Sequence, residues 1–463
     1  MLTCKGNVTL VQEYLLMKLI LLTGSLLLLS GCTGMPSAPL TDAAYLPVTT
    51  HSSAAETGAI FRLAPGETLQ QSDAVQIALQ QHPAIRAMFA DAQSGAALRA
   101  KAASLPVPVF GFERVHAPEL EIVRSISLGL WELILWPQRR QQEQALQLQA
   151  RLQLTSELTQ RIAAVRLAWV DAVAAQEQWH YAQQVEQAAA AAGELAAAMK
   201  ARGNLNALKA LRYQQGAGEA RLLRTQAEQR ALATREALWQ AMGLDAESAK
   251  AFPLPERLPD LPKQAMSDAQ LNSPQRPQRL DVRLAQERWQ TARLQAGLSR
   301  VESIADIGLR AKRGDSQGWE VEIALPLWDG GALQRQAAQS GVEAARQQAL
   351  AVTLQAASEQ RVTYAAYLQS YDAARQYRDD LIPARRKISD EMLLRYNAMQ
   401  ISVFELLADA REQRMMVTAA IDALANFWRA DAALQASLTG APLNVSISPL
   451  NRNTGSAAAE ASH

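Results

Sequence analysis

The chain has 463 residues, with 46 basic and 45 acidic side chains, and only 5% of its residues are aromatic. The balanced charge offers no broad basic face to nucleic acid. Long stretches dominated by Ala, Leu, Gln, Arg and Glu point to long helices and coiled coils rather than a compact enzyme core.

Lys18 precedes an apolar run from Leu19 to Leu29, broken only by Thr23, Gly24 and Ser25, which ends in Leu29-Ser30-Gly31-Cys32. A charged start, a short apolar segment and small residues before a cleavage point make a secretory signal. The run is too short to span a bilayer, which takes ~20 residues. The Cys at the junction reads as a bacterial lipobox, so residues 1–31 form a signal peptide with Met17-Lys18 as its conventional opening. Cys32 is then acylated, by palmitate or a similar chain, and becomes the mature N-terminus. Thr33, rather than Asp, follows it and favours the outer membrane over the inner one. Cys4 is lost with the signal, so no cysteine pair remains for a disulfide, and packing or oligomerisation must hold the fold. Residues 32–66, rich in Pro, Ser, Thr and Ala, read as a lipidated tether.

Residues 67–250 form a first structural repeat. Its opening helix has Thr68 and Ser72 as candidate N-caps and a break at Pro83. A strand pair follows at about 105–136, marked by period-2 alternation such as Arg124, Ile126, Leu128 against Ser125, Ser127, Gly129. A long helical tract runs from about Gln138 to Met242, with an apolar stripe through Leu148, Leu152, Leu158, Ile162, Val165, Trp169 and Val173; Gly203-Asn204 interrupts it. Residues 251–277 are a Pro-rich connector.

The second repeat covers 278–440. A helix from about Arg279 to Ser299 leads to a strand pair at about 303–328, joined through Gly314-Asp315-Ser316-Gln317-Gly318. Asp306, Arg310 and Lys312 share one face of the first strand; Glu320 and Glu322 oppose Trp319, Val321 and Ile323 on the second. Helical pattern resumes from about Ala332 to Leu438, and residues 441–463 read as a disordered tail. Landmarks recur between the copies. Leu135-Trp136-Pro137 matches Leu327-Trp328-Asp329, each ending a strand and opening a helix, and Arg202-Gly203-Asn204 matches Tyr396-Asn397-Ala398-Met399.

No segment after Cys32 has 18 consecutive apolar residues, so a membrane crossing must use strands. Strands of roughly 9–11 residues with an apolar face and a charged face are those of an outer-membrane barrel with a wet lumen. Asp306, Arg310, Lys312, Glu320 and Glu322 are the lumen candidates. Four strands cannot close a barrel, and open edges are not tolerated in lipid, so several copies must combine; three would supply twelve strands. The alternative is a periplasmic hairpin packed on a soluble core. Helical tracts of about 100 residues would exceed 100 Å if unbroken, and closed by symmetry they make a hollow cylinder. A strand barrel joined to a helical cylinder is a conduit. The expected fold class is an α+β membrane protein. Its long coiled-coil-like helical hairpins form a periplasmic tunnel, and its four strands per protomer contribute to a trimeric 12-stranded outer-membrane β-barrel.

Four segments carry a resemblance: Leu69 to His82-Pro83, Leu325-Pro326-Leu327-Trp328-Asp329-Gly330-Gly331, Tyr396 through Leu407, and Asn426-Phe427-Trp428-Arg429-Ala430. In this order, on a duplicated frame, the chain resembles the TolC-like outer-membrane efflux protein family. With its lipobox it resembles the lipoprotein branch that serves tripartite efflux systems. The resemblance implies a homotrimer, lipid-anchored in the outer membrane, that docks to a periplasmic adaptor (membrane fusion) protein and an inner-membrane transporter. It also implies a narrowing at the periplasmic helix turns, with Tyr396, Glu405, Asp409 and Lys209 as aperture candidates. Glu405 falls on an acidic family position. Asp409 lies one residue beyond the other, which is Ala408, and Lys209 replaces an acid. Ile401 replaces an Arg of the family's closing network, so a Lys209–Glu405 pair is a substitute lock. The alternative is that both are solvated surface charges, worth under ~1 kcal/mol.

No enzyme constellation emerges: His51, His82, His116, His180 and His463 lack metal-ligand spacing. Met392 and the pair Met415-Met416 read as core packing, and Arg139-Arg140 and Arg385-Arg386 as solvated helix faces. No metal or other cofactor is expected beyond the covalent lipid on Cys32. The expected function is a passive exit duct for small molecules; the alternatives are the exit channel of a type I protein secretion system and a coiled-coil lipoprotein without a pore.

Overall fold

The computed structural model describes residues 67–116, 120–245, 247, 252–271, 278–303, 306–313, 317–324 and 328–441. The signal segment, Cys32, the tether, His51, both strand-pair tips, Leu325 to Leu327 and nearly all of the tail lie outside the described residues.

Helix α1 (Gln71–Gln81) starts on Gln70, not on Thr68 or Ser72. The reason is a reciprocal cap: the Asp73 carboxylate accepts from the Gln70 N–H at 3.1 Å, while the Ser72 hydroxyl is spent on Asp73 itself. His82 then ends α1 and caps α2 (Pro83–Ala102), its Nδ1 accepting from the Ala84 N–H at 3.0 Å. Pro83 sits at the first helical position, where its missing N–H costs nothing.

Strands β1 (Val109–His116) and β2 (Leu120–Gly129) follow. Helix α3 (Leu130–Ala201) is 72 residues long, about 110 Å at 1.5 Å per residue. It begins earlier than the alternation of Leu130 and Trp131 predicts, and Leu135-Trp136-Pro137 lies inside it rather than at its start. Pro137 costs one backbone bond there. Two contacts hold the turn: Leu135 is buried, and the Trp136 indole donates to the Ala103 carbonyl at the end of α2, at 2.9 Å. Helix α4 (Ala207–Met242) returns antiparallel along α3.

The second repeat has the short α5 (Asp268–Leu271), then α6 (Leu280–Glu302), β3 (Asp306–Arg313), β4 (Gln317–Ala324), α7 (Ala332–Gln376), a π-helical turn at Tyr377–Leu381, α8 (Ile382–Asn397) and α9 (Val403–Thr439). Gly331 caps α7 with a left-handed backbone, and a Cβ on it would meet the Ser303 Cβ at 2.6 Å and the Ser303 carbonyl at 2.7 Å. Only glycine meets both demands.

All four strands form one antiparallel sheet in the order β1-β2-β3-β4. Repeats meet at β2 and β3, and β1 and β4 are its edges. Where the helices cross mid-length, two apolar clusters form the core. One centres on Trp169, Val170, Val173 and Leu238, with the Trp169 indole donating to the Leu69 carbonyl at 2.9 Å. The other centres on Tyr367, Tyr371, Phe427 and Leu434. The Pro-rich connector is fixed to this core. Leu254, Leu258 and Leu261 are buried, and the prolines leave carbonyls for side-chain donors: Trp428 reaches Pro259 at 2.9 Å and Tyr371 reaches Pro262 at 3.1 Å. Met415 departs from expectation, lying mostly exposed on α9, because the lower part of that helix is only half covered within one chain.

Candidate functional site

Residues opposite each other in an antiparallel register share a face. Ser125 faces Lys312 and Ser127 faces Arg310; Arg310 faces Glu320 and Gly308 faces Glu322. Arg310, Lys312, Glu320 and Glu322 therefore line one face, with Ser125, Ser127 and Glu113 beside them. Asp306 joins them by parity, opposite Ala324. Lys312 Nζ lies 2.9 Å from the Glu320 carboxylate, and Arg310 lies 3.8 Å from the same oxygen. Among the described side chains, four acids (Glu113, Asp306, Glu320, Glu322) stand against two bases on this face.

The reverse face carries Phe110, Phe112, Ile122, Ile126, Leu128, Ile307, Leu309, Trp319, Val321 and Ile323, with Arg114, Arg124 and Arg313 toward the end of the sheet away from the helices. Trp319 is 77% exposed, and Phe110 and Phe112 are similarly bare. Such an apolar face in water would cost about 25 cal/mol per Å².

At the opposite end of the molecule the two helical hairpins turn with the same backbone chemistry. The first turn bonds the Gly203 N–H to Lys200 and the Asn204 N–H to Met199; the second bonds Met399 to Tyr396 and Gln400 to Arg395. Both central residues are left-handed, Gly203 at φ 75° and Met399 at φ 57°. The Asn206 side chain caps α4 by accepting from the Lys209 N–H at 2.8 Å; Ser402 caps α9 and accepts from the Glu405 N–H at 3.3 Å.

The aperture candidates separate here. Lys209 and Glu405 occupy corresponding third positions of α4 and α9, both exposed. The Glu405 carboxylate accepts from the Ser402 N–H at 3.0 Å, so it closes a capping box. Tyr396 is 38% exposed at the end of α8. Asp409 is not on the surface: it is 7% exposed, between α8 and α9. Arg385, 8% exposed, bonds both its carboxylate and its carbonyl. The Ser389 hydroxyl donates to the second carboxylate oxygen at 2.8 Å, and Arg385 also reaches Glu412 at 3.0 Å.

Arg385 thus corrects the expectation of a solvated pair at Arg385-Arg386. Its burial depends on an acid across a turn, which local pattern does not reveal. A signal did exist: Arg385 and Ser389 are four apart, Asp409 and Glu412 three apart, so both pairs lie on single faces of helices joined by a tight turn. Arg139 likewise pairs with Glu302 at 3.1 Å. Gly216 makes room for Arg411, whose guanidinium would lie 2.5 Å from a Cβ there, so the Arg411 side chain of α9 reaches α4 near this end.

Mid-length polar contacts join the repeats. Arg429 pairs with Asp171 at 2.6 Å and Gln178 with Asp422 at 2.7 Å. Burial pushes the Asp431 carboxyl above its ordinary range, opposed by Arg166, whose own pKa burial lowers. No group of His, Cys, Asp and Glu among the described residues could hold a metal ion, and no helix among them is long and apolar enough to cross a membrane.

No protein-family model and no curated protein matches the chain. Solved structures do. The outer-membrane channel OprN is 17% identical at a TM-score of 0.66, over 80% of this chain and 90% of that one. The Campylobacter jejuni CmeC outer membrane channel is 13% identical at a TM-score of 0.66, over 85% of this chain and 94% of that one. The Neisseria gonorrhoeae MtrE outer membrane channel is 17% identical at a TM-score of 0.63, over 80% and 89%. Two strand pairs carried on two long helical hairpins, in this order and over this much of both chains, are the fold of the TolC-like outer-membrane channels.

Proposed function

We propose that the protein is the outer-membrane channel of a tripartite efflux system: a lipid-anchored homotrimeric duct for small molecules, driven by an inner-membrane transporter through a periplasmic adaptor. The sheet carries this reading. It has one charged face and one bare, mainly apolar face, and β1 and β4 end it as open edges. Joining β4 of one copy to β1 of the next removes the edges, turns the apolar face to lipid and encloses the charged face. The helices support the same assembly, because Leu350, Leu354 and Val362 form an uncovered apolar stripe on α7, and Leu208, Leu211 and Leu222 are uncovered on α4. A duct needs a wet wall and no catalytic group, and the charged sheet face supplies that wall.

Planar-bilayer recording on purified, heat-dissociable trimers tests the duct. Discrete conductance steps are expected, with cations favoured because acids outnumber bases on the enclosed face. Trimers that conduct nothing would sink the reading. Loss of drug tolerance on deletion, restored by the intact gene, tests the efflux role. Metabolic labelling with a fatty acid, lost in Cys32→Ser, tests the anchor.

A further inference from the structure

We propose that the outward sheet face binds the phosphorylated head groups of the outer leaflet's glycolipid through Arg114, Arg124 and Arg313. The inference rests on the barrel reading above. Register places all three on the apolar face: Arg114 lies opposite Ile122, and Phe112, Arg124, Arg313 and Gln317 form one row straight across the four strands. All three arginines are exposed.

Their position is specific. Arg313 is the last residue of β3, Arg114 stands two residues from the end of β1, and Arg124 is level with Arg313. They mark the end of the sheet farthest from the helices. Nearer the helices the same face is apolar, through Phe110, Ile126, Leu128, Leu309, Val321 and Ile323. An Arg on the lipid face costs about 2–4 kcal/mol at the bilayer midplane and ~0–1 kcal/mol near the interface. These residues therefore sit at the outer interface, with Trp319 at the depth where aromatic girdles lie.

Two observations call for an anion. Arg124 and Arg313 face each other directly, and like charges opposite one another in a sheet repel. No Asp or Glu lies on this face among the described side chains, and none of the three arginines has an ion-pair partner among the described residues. The charged face behaves oppositely, since both its bases lie near Glu320. All three outward bases are arginines, whose planar fork matches a phosphate with two parallel hydrogen bonds. Threefold assembly would repeat the cluster as a belt at the height where the outer leaflet carries its phosphates.

The test uses intact trimers in detergent, wild type and Arg114→Gln/Arg124→Gln/Arg313→Gln. Each is mixed with bisphosphorylated lipid A, with its phosphate-free form, or with phosphatidylglycerol vesicles. Wild type should bind the bisphosphorylated form about tenfold more tightly than the triple variant does, and its trimer-dissociation temperature should rise with that form alone. Arg→Lys replacements at the same sites should retain part of the affinity. Equal binding by wild type and triple variant would overturn the proposal, as would equal protection by phosphate-free lipid A or by phosphatidylglycerol. Conductance should match in both proteins, because the residues face away from the lumen. A failure of the barrel reading is distinguishable: wild-type trimers would then not conduct at all.

Discussion

The two helical hairpins reach the same turn by different chemistry. Both bond the backbone in one pattern around a left-handed residue, and both cap the following helix with a short polar side chain. Behind the first turn lies a small apolar knot of Ala196, Leu205 and Ala210, packed by Met199 and Tyr213. Behind the second lies a buried ion pair, Arg385 with Asp409, braced by Ser389 and Glu412. An apolar knot tolerates small sliding because it lacks direction. A buried, directional ion pair holds one geometry and is lost steeply when broken. The first hairpin is therefore the compliant end, and the second is held by a latch with one closed position.

Five substitutions would break or sharpen that contrast. The largest effect is expected from Arg385→Leu, which strands the buried Asp409 charge and should cost about 3–5 kcal/mol locally. Amide exchange should rise along α8 and α9 near the turn and stay unchanged in α3 and α4; a uniform change would erase the distinction. Leu205→Ala should cost about 2 kcal/mol, less than a central core deletion because the knot is peripheral, with exchange rising at the first turn only. Gly203→Met imposes a side chain on the left-handed site and should cost about 1–2 kcal/mol, read as a drop in urea midpoint. The reverse change, Met399→Gly, should come out close to neutral, strain relief offsetting chain entropy. The one gain comes from the first hairpin. Lys209→Glu places an acid at the N-terminal turn of α4, as Glu405 already does for α9, and should stabilise by about 0.3–1 kcal/mol at low salt. A gain that survives 1 M salt would mean the cause is not electrostatic.

Legibility in the sequence followed the range of the forces involved. The strands were readable because period 2 is local: pleat parity puts Arg310 with Lys312 and Glu320 with Glu322 within each strand, and the β3–β4 register, pairing Arg310 with Glu320, brings the two sets onto one face. Helix length was readable from the apolar stripe. Boundaries set by distant partners were not. Trp136 bonding Ala103 draws the start of α3 back past Pro137. Gln70 takes the cap of α1 from two better capping residues because Asp73 answers it. Arg385 is solvated or buried according to a residue 24 positions away. Met399 fills a left-handed position that glycine marks in the first repeat, so side-chain identity gave no warning of it.

The π turn at Tyr377–Leu381 has a consequence for counting along the second hairpin. A widened turn accommodates one extra residue without ending the helix, so every side chain beyond it is rotated by about 100° from where regular winding would put it. Segments α7 and α8 are one rod written in two reading frames. Arg385 aims at Asp409 only in the second frame. Deleting one residue from the π turn would leave a smoother helix with its guanidinium swung off its acid by more than a quarter of a circle.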